Sequence, residues 1–117
     1  MEKTVTLKKN YEFMRLYKKG KFFVGKYIVL YVLKNNMNTN RLGVTVNKKV
    51  GKSVTRNRLK RLIKENYRHY EAVLKNGCDL VFVARNSDIM PGYSEINKEM
   101  KFLLKKLDVF MQETNND

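Results

Sequence analysis

The longest regular pattern in the chain is centred on Val54-Thr55-Arg56-Asn57-Arg58-Leu59-Lys60-Arg61-Leu62-Ile63-Lys64-Glu65. From about Ser53 to Leu74, apolar residues recur at steps of three and four, which is the period of a helix with one buried face. The residues predicted to face the core are Leu59, Leu62, Ile63, Tyr67, Tyr70, Val73 and Leu74. The sequence therefore predicts a long amphipathic helix whose apolar face covers a core.

The other face of this helix carries cations. Helical spacing gathers Asn57, Lys60, Arg61, Lys64 and Arg68 into one stripe about 17 Å long. Between residues 48 and 64 the chain has eight Lys or Arg residues and no Asp or Glu, so the local field should attract a polyanion. The predicted nucleic-acid-binding residues are Lys48, Lys49, Lys52, Arg56, Asn57, Arg58, Lys60, Arg61, Lys64 and Arg68.

Length and composition restrict the class of protein. A chain of 117 residues is expected to form one domain over 1–117, and its formal net charge of +14 favours a polyanionic partner that relieves self-repulsion. The single cysteine, Cys78, excludes an intramolecular disulfide and is typical of a reduced cytoplasmic setting. The first ten residues lack the apolar segment of a signal peptide, and no apolar run is long enough for a membrane span.

The remaining patterns predict alternating helices and strands. A short helix is expected over Tyr11 to Lys19, capped by Asn10, and a last helix over about Ser94 to Phe110. The predicted buried stripe of this last helix is Ile96, Met100, Leu103, Leu104, Leu107 and Met111. Strand patterns cover Phe22 to Leu33, which is long enough to split into two, then Arg41 to Asn47, and Leu80 to Arg85. Residues Lys34 to Asn40 form an Asn-rich loop of the kind that reverses a chain, so the strand patterns on either side of it predict an antiparallel pair. The prediction is an α+β fold, a two-layer α/β sandwich in the order αβββαβα.

Aromatic residues lie on the first helix and the first strand segment. Phe13, Tyr17, Tyr27 and Tyr31 are placed so that they either line a groove between that helix and the sheet or form ordinary core. Flat rings beside positive charge hold unstacked bases, whereas rings one helical turn apart also pack commonly on a sheet. Spacing alone favours the core.

Four segments together resemble a known family. They are Asn10-Tyr11-Glu12-Phe13, Tyr17-Lys18-Lys19-Gly20, Arg41-Leu42-Gly43-Val44-Thr45-Val46-Asn47-Lys48-Lys49-Val50-Gly51-Lys52-Ser53-Val54, and Arg56-Asn57-Arg58-Leu59-Lys60-Arg61. In this order they resemble the bacterial ribonuclease P protein subunit. The resemblance extends from about Lys8 to Arg85, and the last helix agrees by pattern only.

The resemblance implies a non-catalytic protein that binds a large catalytic RNA and promotes removal of the 5′ leader from precursor tRNA. It implies that the basic helix and its neighbours contact the catalytic RNA. It also implies a leader cleft formed by Phe13, Tyr17, Val29, Tyr31, Thr45 and Asn47. Asn47 stands where the family commonly has Ser. The implied sheet is mostly antiparallel with one left-handed βαβ crossover.

The same resemblance implies the cofactors and partners. Mg²⁺ is required by the RNA-containing holoenzyme, while the protein alone is expected to bind no cofactor or metal and to supply no catalytic residue. The expected partners are the ribonuclease P catalytic RNA and precursor tRNA, with no membrane and no obligate protein partner.

Other classes remain as alternatives. A protein-only nuclease needs clustered acids for metal ions, but Asp79, Asp88 and Asp108 are dispersed along the sequence. A ribosomal or general RNA-binding protein without a leader cleft shares the charge and size, and it is the main alternative. A membrane-surface or DNA-compacting module would also bind anions, but the ordered α/β pattern argues against it.

Overall fold

The computed structural model describes residues 4–112, so residues 1–3 and 113–117 of the predicted domain lie outside the described residues. The elements are β1 (Thr4–Thr6), α1 (Asn10–Lys19), β2 (Lys21–Val24), β3 (Ile28–Lys34), β4 (Asn40–Val46), α2 (Ser53–Tyr70), β5 (Cys78–Ala84) and α3 (Tyr93–Lys106). Short 3₁₀ turns occupy Lys48–Val50 and Glu71–Val73. The predicted order αβββαβα is thus observed, with the additional strand β1 in front, and the α+β class is confirmed.

The five strands form one mixed sheet in the order β1-β4-β5-β3-β2. Strand β5 pairs parallel with β4 and antiparallel with β3, while β1 pairs parallel with β4 and β2 antiparallel with β3. The predicted direct pairing of β3 with β4 is therefore wrong, because β5 lies between them. Strand β5 is almost wholly apolar, and such a strand is best placed at the centre of a sheet with both faces covered.

Helices cover both faces of the sheet, so the molecule has a third layer that the predicted two-layer sandwich lacks. On one face, α2 and α3 bury the main core, which includes Ile28, Leu30, Leu80, Phe82 and Met100. On the other face, α1 buries a smaller cluster formed by Leu7, Leu16 and Val81, with Phe13, Tyr31, Leu33 and Val83 packed against it. The sides of β3 alternate between the two clusters, as its sequence pattern predicts.

The hydrogen bonds define the hand of the β4-α2-β5 connection. The Ile28 carbonyl accepts the Gly25 amide at 2.8 Å and so points toward β2, while the Ile28 side chain enters the cluster under α2 and α3. In an L-residue on a strand drawn upward, with its side chain toward the viewer, the carbonyl points to the right. If β3 is drawn upward with α2 and α3 in front, β2 therefore lies to the right of β3 and β5 lies to its left. When β4 and β5 are drawn upward with α2 in front, β5 then lies left of β4. The crossover is left-handed, against the usual rule and as the resemblance implies.

Helix α1 is attached to the sheet by a cluster of charged side chains. Arg41 of β4 donates from Nε and Nη2 to the two carboxylate oxygens of Asp79 on β5, at 2.8 and 2.7 Å, and also forms an ion pair with Glu12 of α1. Asn35 donates to Asp79 at 2.9 Å. The Asp79 side chain is almost fully buried, so this bidentate pair compensates the cost of removing its charge from water.

Glu12 also caps its own helix. Its Oε1 accepts the backbone amide of Lys9 at 3.0 Å, and this hydrogen bond is the largest cause that lowers the pKa of Glu12 below its ordinary value of 4.5. The Lys8 amide and Arg41 lower the pKa further. Hydrogen bonding to Asp79 raises the pKa of Arg41. The N-cap is therefore Lys9, and the predicted capping by Asn10 is wrong because Asn10 is already helical.

Two predicted core positions at helix ends are also wrong. Val73 and Met111 are both about half exposed, at 50%. Helix α2 ends at Tyr70 and continues as a 3₁₀ turn, which rotates Val73 away from the core, and α3 ends at Lys106, well before Met111.

The turn between β2 and β3 is held by a side chain from α3. The Glu99 carboxylate accepts the backbone amides of Lys26, Tyr27 and Ile28, each at 2.7 Å. These amides have no strand partner in the turn, so the carboxylate satisfies donors that would otherwise need water. The hairpin is thereby fixed to α3.

We expect Glu12→Gln to lower the free energy of unfolding by about 1–2 kcal/mol at pH 7, because hydrogen bonds to a charged group are lost. The pKa of Glu12 is lower in the folded state, so its contribution is present above about pH 4.5 and disappears as the pH falls through the folded value. Denaturant unfolding of both proteins between pH 7 and pH 3 measures the difference, and Glu65→Gln at an exposed position is the control. A difference that stays constant over this range would contradict the assignment.

Candidate nucleic-acid interface

The outer face of α2 carries a continuous basic stripe. Asn57, Arg61, Lys64 and Arg68 are all exposed and follow one another at steps of four, three and four residues. At 3.6 residues per turn they fall within an arc of about 60°. We call these four residues the α2 stripe. Four of the five residues of the predicted stripe therefore share one exposed face, and the fifth, Lys60, lies on its flank.

The other predicted residues of α2 lie beside the stripe. Lys60 and Arg56 are partly exposed on the flank nearer β1, where Arg56 Nη2 donates to Ser53 Oγ at 3.2 Å. Arg58 is exposed on the flank nearer α3. Arg56 is about 140° around the helix from Arg61, so these two guanidinium groups reach different parts of a partner.

The three lysines that precede α2 are exposed and lie close to its N-terminus. Lys48 and Lys49 belong to the 3₁₀ turn, and Lys52 is the N-cap of the helix. Within the described residues, no side chain accepts a hydrogen bond from the first amides of α2 as a cap. The first turn of α2 contains no acid. Free amides and the positive end of the helix dipole make this end favourable for phosphate.

The α2 cations are electrostatically unopposed. The ion pairs formed within residues 4–112 join Arg41 to Glu12 and Asp79, and Lys75 to Asp108, and none includes a cation of α2. The one acid of α2, Glu65, is exposed on the flank nearer α3. A polyanion is therefore the partner whose charge suits this surface.

The opposite face of the sheet contains an aromatic furrow beside α1. The strand register places Phe22, Tyr31, Val81 and Gly43 in one row across the sheet. A second row contains Val24, Val29, Val83 and Thr45. We call the surface formed by these two rows, Phe13 and Tyr17 the furrow.

Three rings of the furrow contact one another. The Tyr31 ring meets Tyr17 edge to face, with centroids 5.0 Å apart, and stacks with Phe22 at 5.4 Å. Phe22 is 56% exposed and Tyr17 is 36% exposed, while Tyr31 is half-buried between them. Exposed rings supported by a half-buried ring form a platform on which a base can stack.

Phe13 is mainly a packing residue. Its ring is partly buried over Gly43, where an added Cβ would lie 2.5 Å from the Phe13 ring. Gly43 therefore allows α1 to approach the sheet closely. Of the two interpretations of the aromatic residues, core packing describes Phe13, whereas Tyr17 and Phe22 are accessible.

The predicted polar members of the cleft differ in their availability. Thr45 is partly exposed on the furrow floor. Asn47 follows β4, and its Oδ1 accepts the Lys49 amide at 2.9 Å, so this oxygen stabilises the 3₁₀ turn. Tyr27 packs against the main core from the β2–β3 turn, which agrees with the core packing that its spacing favours over a place in the groove.

Several residues of the two surfaces were not predicted. Phe22, Val24 and Val83 share the furrow face with Val29 and Tyr31. The Gly25–Tyr27 turn reverses the chain and pairs Phe22 with Tyr31, which a single continuous strand would place on opposite faces. Val54 at the start of α2 is 81% exposed and places an apolar side chain beside the cations.

Within residues 4–112, no helix has the length and apolar character needed to cross a membrane. The same residues contain no group of three His, Cys, Asp or Glu side chains able to hold a metal ion.

Comparison with known proteins shows extensive similarity to one family. The family model for ribonuclease P matches residues 1–108. The ribonuclease P protein component of Clostridium kluyveri is 53% identical over 106 residues, covering 89% of this chain and 95% of the relative. That of Clostridium botulinum strain Loch Maree is 51% identical over 105 residues, with the same coverage.

Solved structures agree with the sequence relatives. The Staphylococcus aureus RNase P protein superposes with a TM-score of 0.82 at 33% identity, covering 91% of this chain and 97% of that protein. The Thermotoga maritima RNase P protein gives 0.76 at 30% identity, with coverages of 86% and 96%. The fold, the α2 stripe and these similarities together lead to one conclusion: the chain belongs to the ribonuclease P protein family.

Proposed function

We propose that this chain binds the ribonuclease P RNA through the α2 stripe and holds the 5′ leader of precursor tRNA in the furrow. As a ribonuclease P protein component, it functions in tRNA 5′ maturation as a non-catalytic subunit of an endoribonuclease. The observation that carries the proposal is the separation of an unpaired cationic stripe and an exposed aromatic platform onto opposite faces of one sheet.

The α2 stripe suits the phosphate backbone of a structured RNA. Arg61, Lys64 and Arg68 project from a rigid helix, so their spacing is set before the RNA binds. The backbone that carries them therefore loses little conformational entropy on binding. Guanidinium groups form bidentate hydrogen bonds with phosphate, while lysine contributes charge. Lys48, Lys49 and Lys52 extend the surface past the N-terminus of the helix.

The furrow suits an unpaired strand. Its rings offer stacking surfaces, its floor is largely apolar, and Thr45 offers a hydroxyl. Such a surface accepts any base with an accessible ring face, which fits leaders of varied sequence. The relatives support this assignment over a ribosomal or general RNA-binding protein, because they are named ribonuclease P protein components.

The protein's own residues are poorly suited to metal-assisted hydrolysis. Among the described carboxylates, those of Glu12 and Asp79 are bonded to Arg41, and that of Glu99 holds three backbone amides. We therefore assign no reaction step to the protein and expect the Mg²⁺ requirement to belong to the RNA-containing holoenzyme. We expect the chain to act in the cytoplasm, with the catalytic RNA and precursor tRNA as partners and without an obligate protein partner or membrane.

Reconstitution tests the assignment directly. The purified chain is mixed with a bacterial ribonuclease P RNA at low Mg²⁺, and removal of a tRNA leader is measured with each component alone as the control. We expect the protein alone to be inactive and the mixture to exceed the RNA alone. A mixture that cleaves no faster than the RNA, with several RNA types, would refute the proposed function.

The stripe gives a second prediction. Arg61→Ala with Lys64→Ala should weaken binding to the catalytic RNA and reduce the slope of log K against log salt by roughly 1.4–1.8, since each lost phosphate contact contributes about 0.7–0.9. The matched control is Arg15→Ala with Lys18→Ala, which removes one Arg and one Lys from exposed positions of α1. Equal losses in the two double variants would show that net charge alone determines binding.

The furrow gives a third prediction, which compares two exposed aromatic rings. Phe22→Ala should lower the affinity of the holoenzyme for leader-bearing tRNA by roughly 5- to 150-fold, from the loss of about 1–3 kcal/mol of stacking, and should leave mature tRNA nearly unaffected. The control is Tyr11→Ala, which removes an exposed ring of α1 that lies outside the furrow. If both variants, or both tRNAs, give the same change, Phe22 is not a leader contact.

A further inference from the structure

We propose that the outer face of α3 is a second contact surface for the ribonuclease P RNA subunit. The proposal rests on the proposed function, because it assigns a further surface to the same RNA. We call this surface the α3 face, and it consists of Lys98, Lys101, Phe102, Lys105 and Lys106, together with Phe23 of β2.

The lysines of the α3 face are arranged regularly. Helix α3 buries Ile96, Met100, Leu103 and Leu104, and its exposed side presents Lys98, Lys101 and Lys105 at steps of three and four residues. Lys98 and Lys105 are about 10.5 Å apart along the helix axis at 1.5 Å per residue. This length allows contact with more than one phosphate of an RNA strand.

The two glutamates of α3 are occupied by backbone groups. Glu99 accepts the three amides of the β2–β3 turn, and Glu95 Oε1 accepts the Gly92 amide at 3.5 Å. None of the ion pairs formed within the described part of the chain includes a lysine of the α3 face. Their positive charge is therefore available to a partner.

An exposed aromatic pair borders these lysines. The Phe23 and Phe102 rings meet edge to face with centroids 5.6 Å apart, and the Lys106 ammonium lies 5.8 and 5.7 Å from the two ring centres. Phe23 remains 38% and Phe102 48% exposed. Rings and cations side by side are the combination that binds unpaired nucleotides and RNA backbone together.

The position of α3 selects the RNA subunit as the occupant. Helices α2 and α3 cover the same face of the sheet and are joined by the hydrogen bond from Asn97 Nδ2 to Asn66 Oδ1 at 2.8 Å. An RNA that lies along the α2 stripe can therefore reach α3 without crossing the sheet. The furrow lies on the opposite face, so the leader held there is a less suitable occupant.

Charge argues against the other occupants of such a surface. A second copy of this chain would bring another formal charge of +14 to a face that is already basic. A protein partner would have to present an acidic surface with an apolar centre. The catalytic RNA supplies both negative charge and flat bases, and it is already bound next to this face.

The test is a double variant, Lys98→Ala with Lys105→Ala, in the full chain. Binding to the catalytic RNA is measured by titration over a range of salt concentrations without tRNA. We expect a weaker complex and a salt slope reduced by roughly 1.4–1.8, corresponding to two lost phosphate contacts. Phe102→Ala should weaken binding with little change in slope, because it removes a contact that releases no counterion.

The matched control is Lys8→Ala with Lys18→Ala, which removes the same charge from two exposed lysines beside and within α1, the helix that covers the opposite face of the sheet. An unchanged affinity in the α3 variant, or a loss equal to that of the control, would overturn the proposal and leave the face to a protein partner. Loss of binding in the Arg61/Lys64 variant alone would overturn only this inference. Failure of the wild-type chain to stimulate leader removal would overturn the proposed function itself.

Discussion

The burial of β5 on both faces is the constraint on which the rest of the structure depends. Leu80, Val81 and Phe82 are inaccessible to solvent, with Leu80 and Phe82 beneath α2 and α3 and Val81 beneath α1. A strand of this kind requires covering layers on both sides, and it separates β3 from β4. Because helices must then occupy both faces, the protein has two independent outer surfaces in a chain of only 117 residues.

These two surfaces differ in the chemistry they present. On the α2 side, apolar residues face inward and unpaired cations face outward, so the surface recognises charge. On the α1 side, the Arg41 ion pairs attach the helix and Phe13 packs closely over Gly43, while part of the sheet beyond the helix stays uncovered. The uncovered rows carry rings and small apolar residues, which suit the stacking of bases. In the function proposed above, anchoring of the RNA and recognition of the strand to be cut are thereby assigned to separate faces.

The sequence predicted local features of this arrangement better than it predicted which distant segments pair. The period of α2 identified its buried face and its basic stripe, because both follow from one helix. The pairing of β3 with β4 was predicted wrongly, since the Asn-rich loop between them is compatible with neighbouring strands or with a strand inserted between them. Phe22 was missed because the turn at Gly25–Tyr27 changes the face on which the preceding residues lie. The left-handed crossover followed only from the family resemblance, and the hydrogen bonds of the sheet confirm it.

The separation of the two RNA-binding surfaces can be tested by cleavage from probes attached to single cysteines. A hydroxyl-radical probe is attached to Phe22→Cys or to Asn57→Cys, with Cys78 replaced by Ala, and each holoenzyme is assembled with precursor tRNA. The account predicts that the probe at position 22 cuts the leader and that the probe at position 57 cuts the catalytic RNA and spares the leader. Cleavage of the leader from position 57, or of the same RNA segment from both positions, would contradict it.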